Sequence, residues 1–183
     1  MQSSTSDTGQ ADAAYERPLS EELASVVAGA RRRALRDGDR QIDTAHLLHT
    51  LLEADPAVRA AIPGGAGQLS RLLGYLVQRS IGYGLRWRGS VEDSSAVAPR
   101  RDGQPPGWSP AAATAMTRAG LRSRERRAEQ VEGLDLLAAL VRDHRCRAAD
   151  VLRGAGVDAD ALFVCLDGFT RLDGPESALP PGR

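Results

Sequence analysis

Residues 41–52 read QIDTAHLLHTLL and residues 130–141 read QVEGLDLLAALV. Laid over one another at an offset of 89, they share Gln41/Gln130, Leu47/Leu136, Leu48/Leu137 and Leu51/Leu140, with Ile42/Val131 and Leu52/Val141 as conservative matches. In each copy the leucines fall on one face of a helix. The same offset extends outward to Ser20/Ser109, Ala24/Ala113, Ala30/Ala119 and Arg33/Arg122. Similarity at a fixed offset marks a duplicated structural unit. Two units are too few for a solenoid, so they are expected to pack as a pseudo-twofold pair.

Each unit reads as four helices. In the first, Ser20 is an N-cap and Glu21 and Glu22 sit in the first turn, where the helix dipole favours acid. Leu23, Val26, Val27, Ala30 and Ala34 make the apolar stripe, and Asp37-Gly38-Asp39 ends it. Asp43 or Thr44 caps the second helix. A short third helix around 57–62 stops at Pro63-Gly64-Gly65, and a fourth carries Leu69, Leu72, Leu73, Leu76 and Val77. In the second unit Pro110 follows Ser109 at the favoured first helical position. Val151 and Leu152 match the short helix, and 161–169 the last one. No stretch carries a strand signal of any strength. The expectation is an all-α fold of two four-helix repeats, over 18–81 and 108–170. Residues 1–17 are expected to be a disordered tail, 82–107 a flexible linker and 171–183 a loose end.

Composition narrows the function. Lys+Arg and Asp+Glu are both 24, so the overall charge gives nucleic acid no electrostatic purchase. Apolar residues at 42% against 26% charged exclude a disordered chain. There is no Lys and no Asn, which removes a lysine nucleophile and an N-glycosylation sequon. Two cysteines, Cys146 and Cys165, cannot form a secreted disulfide framework. The first ten residues lack the charge and apolar run of a signal peptide, and no apolar run nears the ~18 residues of a membrane span. A soluble, cytoplasmic protein is expected.

The duplicated pattern resembles the Clp amino-terminal repeat domain, the substrate- and adaptor-binding head of ClpA- and ClpC-type AAA+ unfoldases. The family pattern is an aromatic-Thr pair, an Ala-rich helix, then Ile-Gly-Thr-Glu-His and leucines. Its counterparts here are Leu19-Ser20 with Ile42-Asp43-Thr44-Ala45-His46-Leu47-Leu48, and Trp108-Ser109 with Val131-Glu132-Gly133-Leu134-Asp135-Leu136-Leu137. The resemblance implies that Leu19 and Trp108 line an apolar groove between the repeats, where adaptor segments and cyclic peptides dock. It also puts phosphoarginine recognition in doubt, because the family's Glu positions hold Ala45 and Leu134, which cannot accept a charge-assisted hydrogen bond. The family's His is kept as His46 but is Asp135 in the second copy. The phosphate-binding G-x-x-x-x-G-K-[ST] loop of the ATPase rings is absent, and without Lys it could not occur. The pattern reads as an amino-terminal domain without its ATPase modules.

His46 and His49 lie three apart, but zinc wants about four ligands, and polar groups flanking a leucine stripe is the preferred reading. His144 and Cys146 read as a surface His beside a half-buried Cys. Arg31–Arg36 and Arg122–Arg127 occupy equivalent places. They suit either an anion or nucleic-acid site or favourable charge at two helix C-termini, and the latter is preferred because no stacking aromatics are interleaved. Leu19 and Trp108 suit either a ligand groove or a hydrophobic staple fixing helix entry. No catalytic residues, cofactor or metal are expected. The expected role is non-catalytic binding of a peptide, adaptor protein or cyclic-peptide-like ligand, as accessory or competitor of a full-length Clp unfoldase. The alternative is a nucleic-acid-associated regulator using the Arg clusters.

Overall fold

A computed structural model of the chain describes residues 17–80, 92 and 106–172. All but residue 17 of the expected 1–17 tail, most of the 82–107 linker and all but 171 and 172 of the expected 171–183 end lie outside the described residues. The first repeat holds α1 (Glu21–Asp37), β1 (Gln41–Ile42), α2 (Thr44–Ala54), α3 (Pro56–Ala61) and α4 (Gly65–Ser80). The second holds β2 (Gly107–Trp108), α5 (Pro110–Glu125), α6 (Gly133–Arg142), α7 (Arg147–Gly154) and α8 (Ala159–Leu172). The fold is all-α, with four helices per repeat.

The caps repeat with the sequence. Ser20 Oγ accepts from Leu23 N at 3.1 Å, and Ser109 Oγ from Ala112 N at 3.0 Å. Each first helix ends in a left-handed residue, Gly38 (φ 71) and its counterpart Arg127 (φ 57). The closing bonds match too: Asp39 N to Ala34 O at 2.9 Å and Ala128 N to Ser123 O at 3.0 Å. Asp43, not Thr44, caps α2: its Oδ1 accepts from His46 N at 2.8 Å, and its own N–H donates to His46 Nδ1 at 3.1 Å.

The expectation of no strands is corrected in one detail. β1 and β2 pair in parallel, Gln41 with Gly107 and Ile42 with Trp108, and Leu19 bridges Val131. Elements of two residues are too short to leave a period-2 pattern.

One apolar core spans both repeats. Helix α2 packs on α1, α3 and α4 of its own repeat and on α5, α6 and α7 of the other. Residues Thr44 to Leu52 are therefore all buried, as befits a helix enclosed on every side. Leu47, Leu48 and Leu51 and their counterparts Leu136, Leu137 and Leu140 are fully buried at equivalent positions of α2 and α6. On α4, Leu72 and Leu76 are buried, but Val77 is exposed and is not part of the core face. Among the described residues no helix is long and apolar enough to cross a membrane.

Candidate functional site

The repeats are joined by two backbone clasps that the 89-residue offset interchanges. Ser20 N donates to Val131 O at 2.9 Å, and Ser109 N to Ile42 O at 2.9 Å. Val131 N closes the first clasp on Pro18 O at 2.9 Å. Each lead-in residue, Leu19 or Trp108, is thereby held beside the apolar residue that precedes α6 or α2 of the other repeat. Both side chains are half-buried against the common core.

Below the clasps, helix N-termini meet in pairs. Thr44 opens α2 against the start of α7, where Ala148 N donates to Thr44 Oγ1 at 3.0 Å. Two converging N-termini present unpaired N–H groups and partial positive charge. Glu92 supplies the anion. Its Oε2 accepts from Thr44 N at 2.9 Å and from Ser109 Oγ at 2.7 Å. Its Oε1 accepts from Thr44 Oγ1 at 2.5 Å and from Arg147 N at 2.8 Å. Glu92 is buried, so one residue of the 82–107 stretch is anchored in the repeat boundary. Beside it the buried Arg147 guanidinium donates to Asp43 Oδ2 at 2.5 Å, tying α7 to the cap of α2.

The counterpart junction is built differently. Gly133 opens α6 against the start of α3. A Cβ on Gly133 would lie 2.0 Å from Asp55 Oδ2, so only glycine fits. Asp55 Oδ1 meanwhile accepts from Ala57 N at 2.8 Å and Val58 N at 3.2 Å, capping α3. Each junction thus holds one of the chain's own carboxylates, Glu92 in one and Asp55 in the other. Gly133→Ala is expected to cost about 1–3 kcal/mol from overpacking. Asp55→Ala in the same chain should remove the clash, so a double-mutant cycle on denaturation midpoints should show strong coupling.

The remaining candidate residues fall around these junctions. Ala45 is fully buried and Leu134 is half-buried against the core. Asp135 is fully buried and forked by Arg126, Nε to Oδ1 at 2.9 Å and Nη2 to Oδ2 at 2.8 Å. His46 and His49, beside the leucine stripe, are themselves buried. His46 Nε2 lies 3.0 Å from Asp39 Oδ2, and His49 Nε2 3.2 Å from Glu53 Oε1. Asp37, Asp39 and His46 bring three potential metal-ligand atoms within 4.8 Å of one another, one short of a structural zinc set. Cys146 is fully buried rather than half-buried; burial pushes its thiol up to about 11, away from nucleophilic use. The Arg clusters are engaged by acids: Arg33 by Glu53, Arg36 by Asp37, Arg122 by Asp167, Arg126 by Glu132 and Asp135.

Neither family models nor curated proteins give a match to the sequence. Solved structures do. The Candida albicans Hsp104 N-terminal domain superposes with a TM-score of 0.62 at 15% identity, over 87% of this chain and 94% of that one. The N-terminal domain of the caseinolytic protease associated chaperone ClpD from Arabidopsis thaliana gives 0.60 at 21%, over 87% and 97%. The chain has the Clp amino-terminal domain fold. A structure from work on a malarial protein secretion system is similar as well, with a TM-score of 0.61 at 12% identity, over 85% and 97%.

The positions that the resemblance assigns to the family's Glu carry Ala45 and Leu134, while Glu92 accepts at the N-terminus of α2 and Asp55 stands against the first residue of α6. An incoming phosphate would face resident negative charge and find no partner for its guanidinium. We expect no calorimetrically detectable binding of phosphoarginine; micromolar affinity would overturn this reading.

Proposed function

We propose that the chain is a non-catalytic, cytoplasmic binding protein that takes peptides, adaptor segments or cyclic-peptide-like ligands in an apolar site flanked by Leu19 and Trp108. It acts as an accessory or competitor of a full-length Clp unfoldase. What supports this most is the pair of exchanged clasps, Leu19 with Val131 and Trp108 with Ile42, which set two half-buried apolar side chains at the repeat boundary. Trp suits an anchoring role, with large area, few rotors and one donor. Leu in place of an aromatic narrows the other side, so ligand preference should differ from that of relatives with two aromatics. The same clasp geometry also serves as a staple for helix entry.

Affinity and stability separate the two roles. Trp108→Ala should weaken binding of an apolar peptide by about thirtyfold, or ~2 kcal/mol, as for a central aromatic anchor. The denaturation midpoint should move less than for a buried leucine truncation. Function is tested by adding the chain to a reconstituted Clp protease with an adaptor-delivered substrate. Inhibition that Trp108→Ala abolishes is the expected result. Unaltered proteolysis at saturating chain, or inhibition indifferent to Trp108, would contradict the proposal.

A further inference from the structure

A cleft of about 450 Å³ opens between α1 and α2, lined by Ser25, Gly29, Arg32, Arg33, Arg36, Thr50, Glu53 and Ala54. Its counterpart under the 89-residue offset lies between α5 and α6, holds about 210 Å³, and includes Arg118, Leu121, Arg122, Glu125, Ala139 and Arg142. The two have diverged in opposite senses.

In the second cleft Arg118 stands where the first has Gly29 and lines the opening. Arg122 lies 3.2 Å from Asp167 Oδ1 and 3.7 Å from the buried Asp135, while Arg142 stacks 5.7 Å over the Phe163 ring. That cleft is smaller, and its Arg122 and Arg142 are engaged by Asp167, Asp135 and the Phe163 ring. In the first cleft the position of Asp135 is His46, which turns to Asp39 and Asp43. Gly29 lies so close to Thr50 that a Cβ would sit 2.6 Å from Thr50 Cγ2, leaving the cleft without a filling side chain. Arg32, Arg33 and Arg36 line the cleft with Glu53, which is shared between Arg33 Nη2 at 2.5 Å and His49 Nε2 at 3.2 Å, while Arg36 Nε lies 3.3 Å from Asp37 Oδ1 on the exposed side. Arg33 Nε is buried without a hydrogen-bond partner. Arg32 is exposed on the rim and has no acid partner among the described residues.

We propose that the α1–α2 cleft is a carboxylate site for an acidic side chain of a protein partner, gripped by Arg32 and Arg36 over the Arg33–Glu53 pair. A planar guanidinium fork matches a carboxylate in geometry and charge. The chain as a whole is neutral, and no aromatic side chain lines the cleft. Both features favour an acidic peptide over nucleic acid. The site is separate from Leu19 and Trp108 and stands or falls independently of them.

The test is a titration of the ¹⁵N-labelled full chain with a hexaglutamate peptide at low salt, read at the Gly29 and Thr50 amides. Saturable shifts at both are expected. Arg32→Ala with Arg36→Ala, two exposed rim changes checked by thermal melting, should weaken binding about tenfold or more. Arg118→Ala in the other cleft and Trp108→Ala should leave it unchanged. Inorganic phosphate shifting the same amides as strongly as the peptide would mean a site for free anions and would overturn the peptide assignment. Tighter binding of duplex DNA with the same shifts, equal sensitivity to Arg118→Ala, or no shift at Gly29 and Thr50 would overturn it too.

Discussion

Glu92→Ala should destabilise the protein by about 3–5 kcal/mol, the range for removing one partner of a buried charged network. The carboxylate is the common acceptor for Thr44 N, Thr44 Oγ1, Ser109 Oγ and Arg147 N. Truncation leaves these donors facing one another across three helix N-termini, and each buried donor without a partner costs about 1–3 kcal/mol. Glu92→Gln should cost less, because the amide keeps one acceptor oxygen and the shape while turning its NH₂ toward a donor. Urea denaturation at constant m-value reads the difference. A loss under about 1 kcal/mol would show that water replaces the carboxylate and that the junction is not sealed.

Leu48→Ala should cost about 2–5 kcal/mol, as for other buried leucine truncations. Leu48 lies fully buried on the helix that packs on both repeats. Its counterpart Leu137→Ala should cost a similar amount. Because one core serves both repeats, each variant should still unfold in a single cooperative step. A cost near zero, or two separated transitions with one repeat surviving, would show that the repeats fold independently.

The fold was legible because the duplicated leucines carry both the helix period and the pseudo-symmetry, and burial of equivalent positions follows from those two facts. The clasps were not legible: two-residue strands have no alternation to detect, and their pairing depends on chain segments far apart. The burial of His49 beside the leucine stripe follows from α2 being enclosed by both repeats, which the pattern of a single helix does not reveal. At the site, Ser109 is visible through the offset, and Leu19, Trp108 and Thr44 through the resemblance to the Clp repeat pattern. Gly133 in place of Thr carried a signal for close backbone approach, and the partner it makes room for is Asp55. Glu92 left no trace, since a single Glu in a stretch rich in Gly, Ser and Asp reads as loop chemistry. Its role comes from where three distant N-termini converge.

The claim that the repeat boundary binds apolar peptides through Leu19 and Trp108 is tested most directly by Trp108 fluorescence. The chain has two tryptophans, so the measurement uses a Trp87→Phe background. A saturable change in Trp108 emission on adding an apolar peptide or cyclic peptide, unaffected by salt and needing no ATP, is the predicted result. An unchanged Trp108 signal with a ligand shown by calorimetry to bind would contradict it and move the site elsewhere on the molecule.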